Sequence, residues 1–293
     1  MTKNLAVAMC FAIVACTVAC SRKTDTAKAV ATPSVSLDHQ RAPLGSPIEA
    51  TYKFVVAGDA PRFTKDYRVF VHFLDSNEEL MWTDDHLPPV PVSQWSPGQT
   101  IQYSRTVFIP IYPYVGDATV RIGIYSPKER QRLPLAGENN GQRAYKVATI
   151  NLLPQSENVF LIYKDGWHAA EVSRDNAAVE WQWTKGESTI SFRNPRRDAT
   201  FYLHLDGRPE LLERPQKVTI TLGDHMIDAF DLVTREEVIR KIPVPAAQFG
   251  SADMADLRIR VDQTFVPAKV PAARNNDTRE LGVRVFHAFV EPR

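Results

Sequence analysis

The chain has 293 residues, 44% of them hydrophobic and 24% charged, which is the make-up of a folded globular protein and excludes a disordered or collagen-like one. Its 35 basic and 34 acidic residues leave a formal charge of +1, so no global field draws it to nucleic acid or to an anionic membrane. The length sets an expectation of two domains, and 21 prolines against 13 glycines favour many short strands over long helices.

The first residues read as a processing signal. A positive start at Lys3 is followed by an apolar run over residues 5–19, shorter than the roughly 20 residues that span a bilayer. All three cysteines (Cys10, Cys16 and Cys20) lie in or at the end of this run, so the mature fold is expected to hold no internal disulfide and no thiolate metal site. Ala19 before Cys20, and Ser21-Arg22-Lys23 after it, resemble the lipobox of bacterial lipoproteins. The resemblance implies that residues 1–19 are a signal peptide and that Cys20 is acylated, with palmitate-type chains holding the protein to a membrane. Thr17 stands where that family carries an aliphatic residue, whereas Cys16, preceded by Ile13-Val14-Ala15, fits better but leaves a shorter run. The alternative is a plain secretory peptide cut near Ala19, or an uncleaved anchor.

Residues 20–34 are polar and alanine-rich and read as a flexible tether. Structure is expected from Val35. In IEATYKFVV, Ile48, Ala50, Tyr52, Phe54 and Val56 share one face, with Glu49, Thr51 and Lys53 on the other. YRVFVHFLD is apolar on both faces, as in a central strand covered on each side. TVFIPIY, ATVRIGIYS and AYKVATINLL complete a first module over residues 35–154. A linker follows over residues 155–166, and ENVFLIY within it is a short strand or a helical turn. A second module over residues 167–293 holds about eight strands, with helical turns expected at TREEVIRK and SADMADL. The fold class is therefore all-β, two β-sandwich modules, with strand spacing that argues against βαβ units.

In the first module, the residue 69–75 strand, Asp84-Asp85-His86 before Pro88-Pro89, Trp95-Ser96-Pro97-Gly98, Gly123-Ile124-Tyr125 and Arg132-Leu133-Pro134 form a pattern. It resembles the immunoglobulin- or fibronectin-like accessory module of bacterial membrane glycosyltransferases. It departs at Tyr114-Val115-Gly116-Asp117, where a Pro-Gly turn is usual. In the second module, Trp183 to Gly186, then Phe265, Pro267, Asp277, Arg279, Leu281 and Gly282, resemble a jelly-roll-like module of similar envelope glycan proteins. The whole chain is similar to uncharacterised acidobacterial-type lipoproteins. These resemblances imply architecture and an envelope setting, and no activity.

Asp75, Asp84, Asp85 and His86 are the metal candidates, since clustered oxygen ligands on a loop suit Ca²⁺. The simpler reading is that the aspartates serve backbone amides in a proline-rich turn and His86 caps a strand end. Trp82 and Trp95 stand beside loops and are candidate stacking platforms for sugar rings, or core. Trp181 and Trp183 project to one strand face, and their size favours core. Arg279 sits between Asp277 and Glu280. A structural ion pair is the simpler reading, and a ligand clamp is the other. There is no G-x-S-x-G and no H-E-x-x-H, and no cofactor is expected. These features point to a non-catalytic, lipid-anchored protein facing the periplasm or exterior. It would engage envelope polysaccharide or an envelope protein and no nucleic acid. The alternatives are a purely structural or assembly lipoprotein, or a glycoside hydrolase whose carboxylates meet only in the fold.

Overall fold

The structure is a computed structural model that describes residues 25–176 and 179–293. The signal peptide and the acylation candidates Cys16 and Cys20 lie outside the described residues. In chain order the first strands are β1 (Ala31–Leu37), β2 (Arg41–Pro43), β3 (Pro47–Val56), β4 (Arg68–Leu74), β5 (Leu80–Thr83), β6 (Thr100–Phe108), β7 (Gly116–Ser126), β8 (Gln131–Arg132), β9 (Glu138–Asn139) and β10 (Tyr145–Leu153). They form a three-stranded sheet, β1-β3-β6, and a larger sheet ordered β2-β10-β7-β4-β5, with β8 added to β7 and β9 to β10. One hydrophobic core lies between these sheets.

Strand alternation dictates how that core fills. Along β3, Ile48, Ala50, Tyr52, Phe54 and Val56 are each no more than 1% exposed, while Glu49, Thr51 and Lys53 face out. β4 lies between β7 and β5 and is covered on both faces. Val69, Val71 and Phe73 enter the core, and Phe70 on the other side lies under the Arg132 guanidinium, 4.4 Å above its ring. Opposite Phe70, Gly123 has no room for a side chain: a Cβ there would fall 2.3 Å from the phenyl ring.

The chain enters the sheet earlier than residue 35. β1 begins at Ala31, paired with Val56, and Val30 and Ala31 are both buried. Small residues alternating with polar ones suffice for an edge strand, because the strand needs only ladder hydrogen bonds and a little apolar area.

The second half carries β11 (Leu161–Tyr163), β12 (Glu171–Val172), β13 (Glu180–Trp183), β14 (Glu187–Arg193), β15 (Ala199–Asp206), β16 (Gln216–Leu222), β17 (His225–Leu232), β18 (Val238–Val244), β19 (Met254–Val261) and β20 (Arg284–Pro292). Two five-stranded sheets, β11-β14-β19-β16-β17 and β12-β13-β20-β15-β18, enclose a second core. The protein is all-β and built as β-sandwiches. Helical elements among the described residues are 3-10 turns of three or four residues. The helical turns expected at TREEVIRK and SADMADL are instead β18 and β19 with the bends before them. Strand alternation runs on past SADMADL: Arg258 and Arg260 are exposed on β19 between buried Leu257, Ile259 and Val261.

The two halves touch through named groups. Phe108, at the end of β6, stacks on His287 of β20 with ring centres 4.4 Å apart and planes 9° apart. His287 faces His204 of β15, Nδ1 to Nδ1 at 3.2 Å, and His204 Nε2 meets Glu237 at 2.9 Å. Lys241 and Glu49 form an ion pair across the same junction. Beside it, a crevice of ≈ 240 Å³ is lined by Arg41, Ser46, Asn158, Arg197 and Glu291.

Candidate functional site

A groove of ≈ 590 Å³ lies at one end of the second sandwich, within the range of ordinary small-ligand sites. Its wall is set by β12 and β13, which pair with Glu171 directly opposite Trp181. Trp181 and Trp183 lie two apart on β13 and both line the groove, together with Phe265, Leu211 and Leu281. Trp183 is only 7% exposed and packs with Phe265 and Leu281 as the floor, whereas Trp181 is half-buried. The Trp181 indole Nε1–H is buried and has no hydrogen-bond partner.

The far rim is the long loop that ends at β20. Its base is closed by a two-way bridge in which Phe265 N–H donates to the Leu281 carbonyl (2.9 Å) and Leu281 N–H donates to the Phe265 carbonyl (2.8 Å). Next to it the backbone of Gly282 passes so close to Thr184 that a Cβ would fall 2.4 Å from the threonine hydroxyl. Within the loop, Asn275 Oδ1 accepts from Asp277 N–H and Asp277 Oδ1 accepts from Arg279 N–H, both at 2.9 Å. These short side-chain-to-backbone turns hold Asp277 and Arg279 in a defined posture.

Arg279 therefore projects as a fixed fork. Its Nη2 donates to Asp277 Oδ2 at 2.6 Å, its Nε to the same carboxylate at 3.0 Å, and its Nη1 lies 2.7 Å from Glu171 Oε1 on the opposite wall. The bond from Arg279 holds the Asp277 carboxyl below the ordinary carboxylate range, against a smaller upward push from burial. Deeper in, Asp206 is 1% exposed and takes hydrogen bonds from Arg208 Nη1 (2.8 Å) and Arg284 Nε (2.8 Å). The Arg284 guanidinium also lies 5.0 Å from the Trp181 ring centre and 5.8 Å from that of Trp183, which fixes both indoles from behind. Arg235 and Glu210 pair at 3.1 Å on the remaining side.

Of the residues singled out from sequence, Arg279 stands in this groove with Trp181, Trp183, Phe265, Pro267, Asp277 and Leu281, whereas Trp82, Trp95 and the acidic set do not. Trp95 is 3% exposed, with its ring against Phe54 and Phe63, so it has no free face for a sugar. Trp82 spends one face on Phe73, stacked at 4.4 Å, and lies outside the groove lining. The acidic set is likewise engaged internally. Asp75 Oδ1 accepts from the amides of Asn77 and Glu79 in a turn, and Asp85 Oδ1 from that of Val71. Asp84 is gripped by Arg105 and by the Tyr52 hydroxyl. His86 uses both ring nitrogens, on the Asp84 carbonyl and the Tyr103 hydroxyl, each at 2.7 Å. Among the described residues no group of three or more His, Cys, Asp or Glu side chains is placed to hold a metal ion. Sequence reasoning did not reach Glu171, Arg208 or Arg235. Their partners lie across strand pairs and loops, and the one local signal was the Trp181 and Trp183 doublet.

No family model matches the chain, and no curated protein does either. Among solved structures it is similar to the tandem CBM22-1-CBM22-2 domains of Paenibacillus barcinonensis Xyn10C, at 8% identity and TM-score 0.26, covering 89% of this chain and 91% of that one. It is also similar to a Clostridium perfringens ZmpB structure with CBM51-2 in complex with GlcNAc, at 10% identity and TM-score 0.26, covering 89% and 48%. A third is the Pseudomonas fluorescens alkylpurine DNA glycosylase AlkC, at 15% identity and TM-score 0.28, covering 43% and 31%. The chain thus spans less than half of the ZmpB and AlkC chains. At TM-scores this low the likenesses carry no argument about ligands, which rests on the groove itself.

Proposed function

We propose that the protein binds a glycan, without catalysing its cleavage, through the groove between β12, β13 and the residue 263–282 loop. The observation that carries this reading is the pairing of an aromatic wall, Trp181 over Trp183 and Phe265, with a fixed polar fork, Arg279 between Glu171 and Asp277. Sugar rings present an apolar face to an indole and a belt of hydroxyls to hydrogen-bonding groups. A glycosidase needs one carboxylic acid that stays protonated near neutral pH. Asp277 is pushed the other way by Arg279, and Glu171 is salt-bridged to the same side chain, which favours binding over hydrolysis.

The test is a panel of immobilised oligosaccharides presented to the full chain. Wild-type protein is expected to bind at least one class, and Trp181→Ala to weaken that binding by roughly 10-fold to 100-fold, the scale of losing one ring stack. Equal binding by wild type and Trp181→Ala would place the ligand elsewhere and defeat the reading.

We also propose that the protein is a cell-envelope lipoprotein held to the membrane through Cys20, on the strength of the apolar run over residues 5–19. Membrane partition of the expressed chain should be lost in Cys20→Ser. If that variant still partitions while Cys16→Ser does not, Cys16 is the acylated residue; if neither change releases the protein, lipid anchoring is wrong.

A further inference from the structure

We infer that the groove selects a neutral saccharide and discriminates against one carrying carboxylate or sulfate groups, an inference that rests on the glycan-binding reading above. Its basis is the charge pairing of the site. The groove is lined by Arg208, Arg235 and Arg279 and by Glu171, Glu210 and Asp277, with Arg284 and Asp206 just behind. Each guanidinium is already matched. Arg279 serves Asp277 and Glu171, Arg235 serves Glu210, and Arg208 and Arg284 share Asp206. Four positive groups face four negative ones. Lys269 and Arg274 belong to the same loop but do not line the groove.

An anionic ligand would have to draw a guanidinium off its carboxylate. That carboxylate would then stand unpaired beside the incoming anion, two like charges within a partly desolvated site. A hydroxyl imposes no such exchange. Arg279 donates its Nε–H and one Nη2–H to Asp277 and faces Glu171 with Nη1 in an ion pair, and a guanidinium has five N–H donors, so donors remain for ligand oxygens. The fork can therefore hydrogen-bond a hydroxylated ligand while its charge stays cancelled. Selectivity of this kind comes from repulsive placement as much as from contact.

The experiment compares neutral hexose or N-acetylhexosamine oligomers with hexuronate and sulfated oligomers of equal length, by calorimetry on the full chain. Neutral oligomers are expected to bind at least about tenfold more tightly, with an affinity nearly constant from about 0.1 M to 1 M salt. In Glu171→Gln, which frees half of the Arg279 fork and leaves the groove one positive charge in excess, the ratio of acidic to neutral affinity is expected to rise about tenfold. Equal or tighter binding of acidic oligomers by wild type, a steep fall of affinity with salt, or an unchanged ratio in Glu171→Gln would overturn the inference while leaving glycan binding intact. Binding of no oligomer at all would overturn both together.

Discussion

Trp95→Ala is expected to destabilise the protein by about 3–5 kcal/mol, the range for deleting a large aromatic from a packed core. The indole is 3% exposed and sits between Phe54 of β3, 5.1 Å away, and Phe63, whose ring meets it edge-on at 6.4 Å. Its Nε1–H donates to the Val90 carbonyl at 2.9 Å, which ties the proline-rich segment before it to the sandwich. The surrounding turn holds the ring in place. Val92–Gln94 is a 3-10 turn closed by Trp95 N–H on the Val92 carbonyl, and Gly98 takes a φ of +76° that a side chain would resist. Truncation therefore leaves both a cavity and an orphaned carbonyl, and neither can relax by local collapse. Trp95→Phe is the milder change: it keeps much of the volume and loses the hydrogen bond with a smaller cavity, at about 1–2 kcal/mol. Denaturant midpoints of the three proteins should fall in that order. A midpoint for Trp95→Ala equal to wild type would show that the indole does not support the core.

How much of this was legible in the sequence follows from the range over which each interaction acts. The alternation of Ile48, Ala50, Tyr52, Phe54 and Val56 is a property of consecutive residues, and period-two burial follows from strand geometry alone. The Asp277 and Arg279 pair could also be read, because the two residues are neighbours in one loop. Glu171 could not, since it meets Arg279 only after β12 pairs with β13 and the long loop folds back across them. The sequence left the tryptophans unsettled between platform and core for a related reason. Trp95 and Trp82 neighbour loops, which suggests exposure, but Trp95 is buried against Phe54 and Phe63 and Trp82 stacks on Phe73. Trp181 is in a strand, which suggests core, yet β13 stands at the end of its sandwich where a loop, not a facing sheet, covers it. Loop placement is a tertiary outcome that periodicity does not encode. The clamp on Asp84 was hidden in the same way, because its partners come from β3 and β6, on the opposite sheet.

Those partners make Asp84 the second position where one substitution should be costly. Its carboxylate, 10% exposed, accepts from Arg105 Nε at 3.0 Å and Nη2 at 2.8 Å and from the Tyr52 hydroxyl at 2.9 Å, so it clamps the loop after β5 to the three-stranded sheet. Removing one partner of a buried pair costs about 3–5 kcal/mol when the other charge stays trapped. Arg105 is 39% exposed and can turn to water, which lowers the expectation for Asp84→Ala to about 2–3 kcal/mol. Tyr52 cannot escape, because it is fully buried and loses its acceptor. The acid limb of stability should report the same group. Burial alone would raise the Asp84 pKa, but the hydrogen bonds and charges of His86 and Arg105 outweigh it and hold the carboxyl below its ordinary value. A depressed carboxylate stabilises the fold at pH values above the unfolded pKa, near 4, and that stability drains away as pH falls below it toward the folded pKa. Wild type should therefore exceed Asp84→Asn in stability at neutral pH, and the gap should close below about pH 4. Denaturant titrations of both proteins across that range measure it directly. A gap that persists undiminished in acid would mean that Asp84 acts through packing, and that its charge contributes nothing to the clamp.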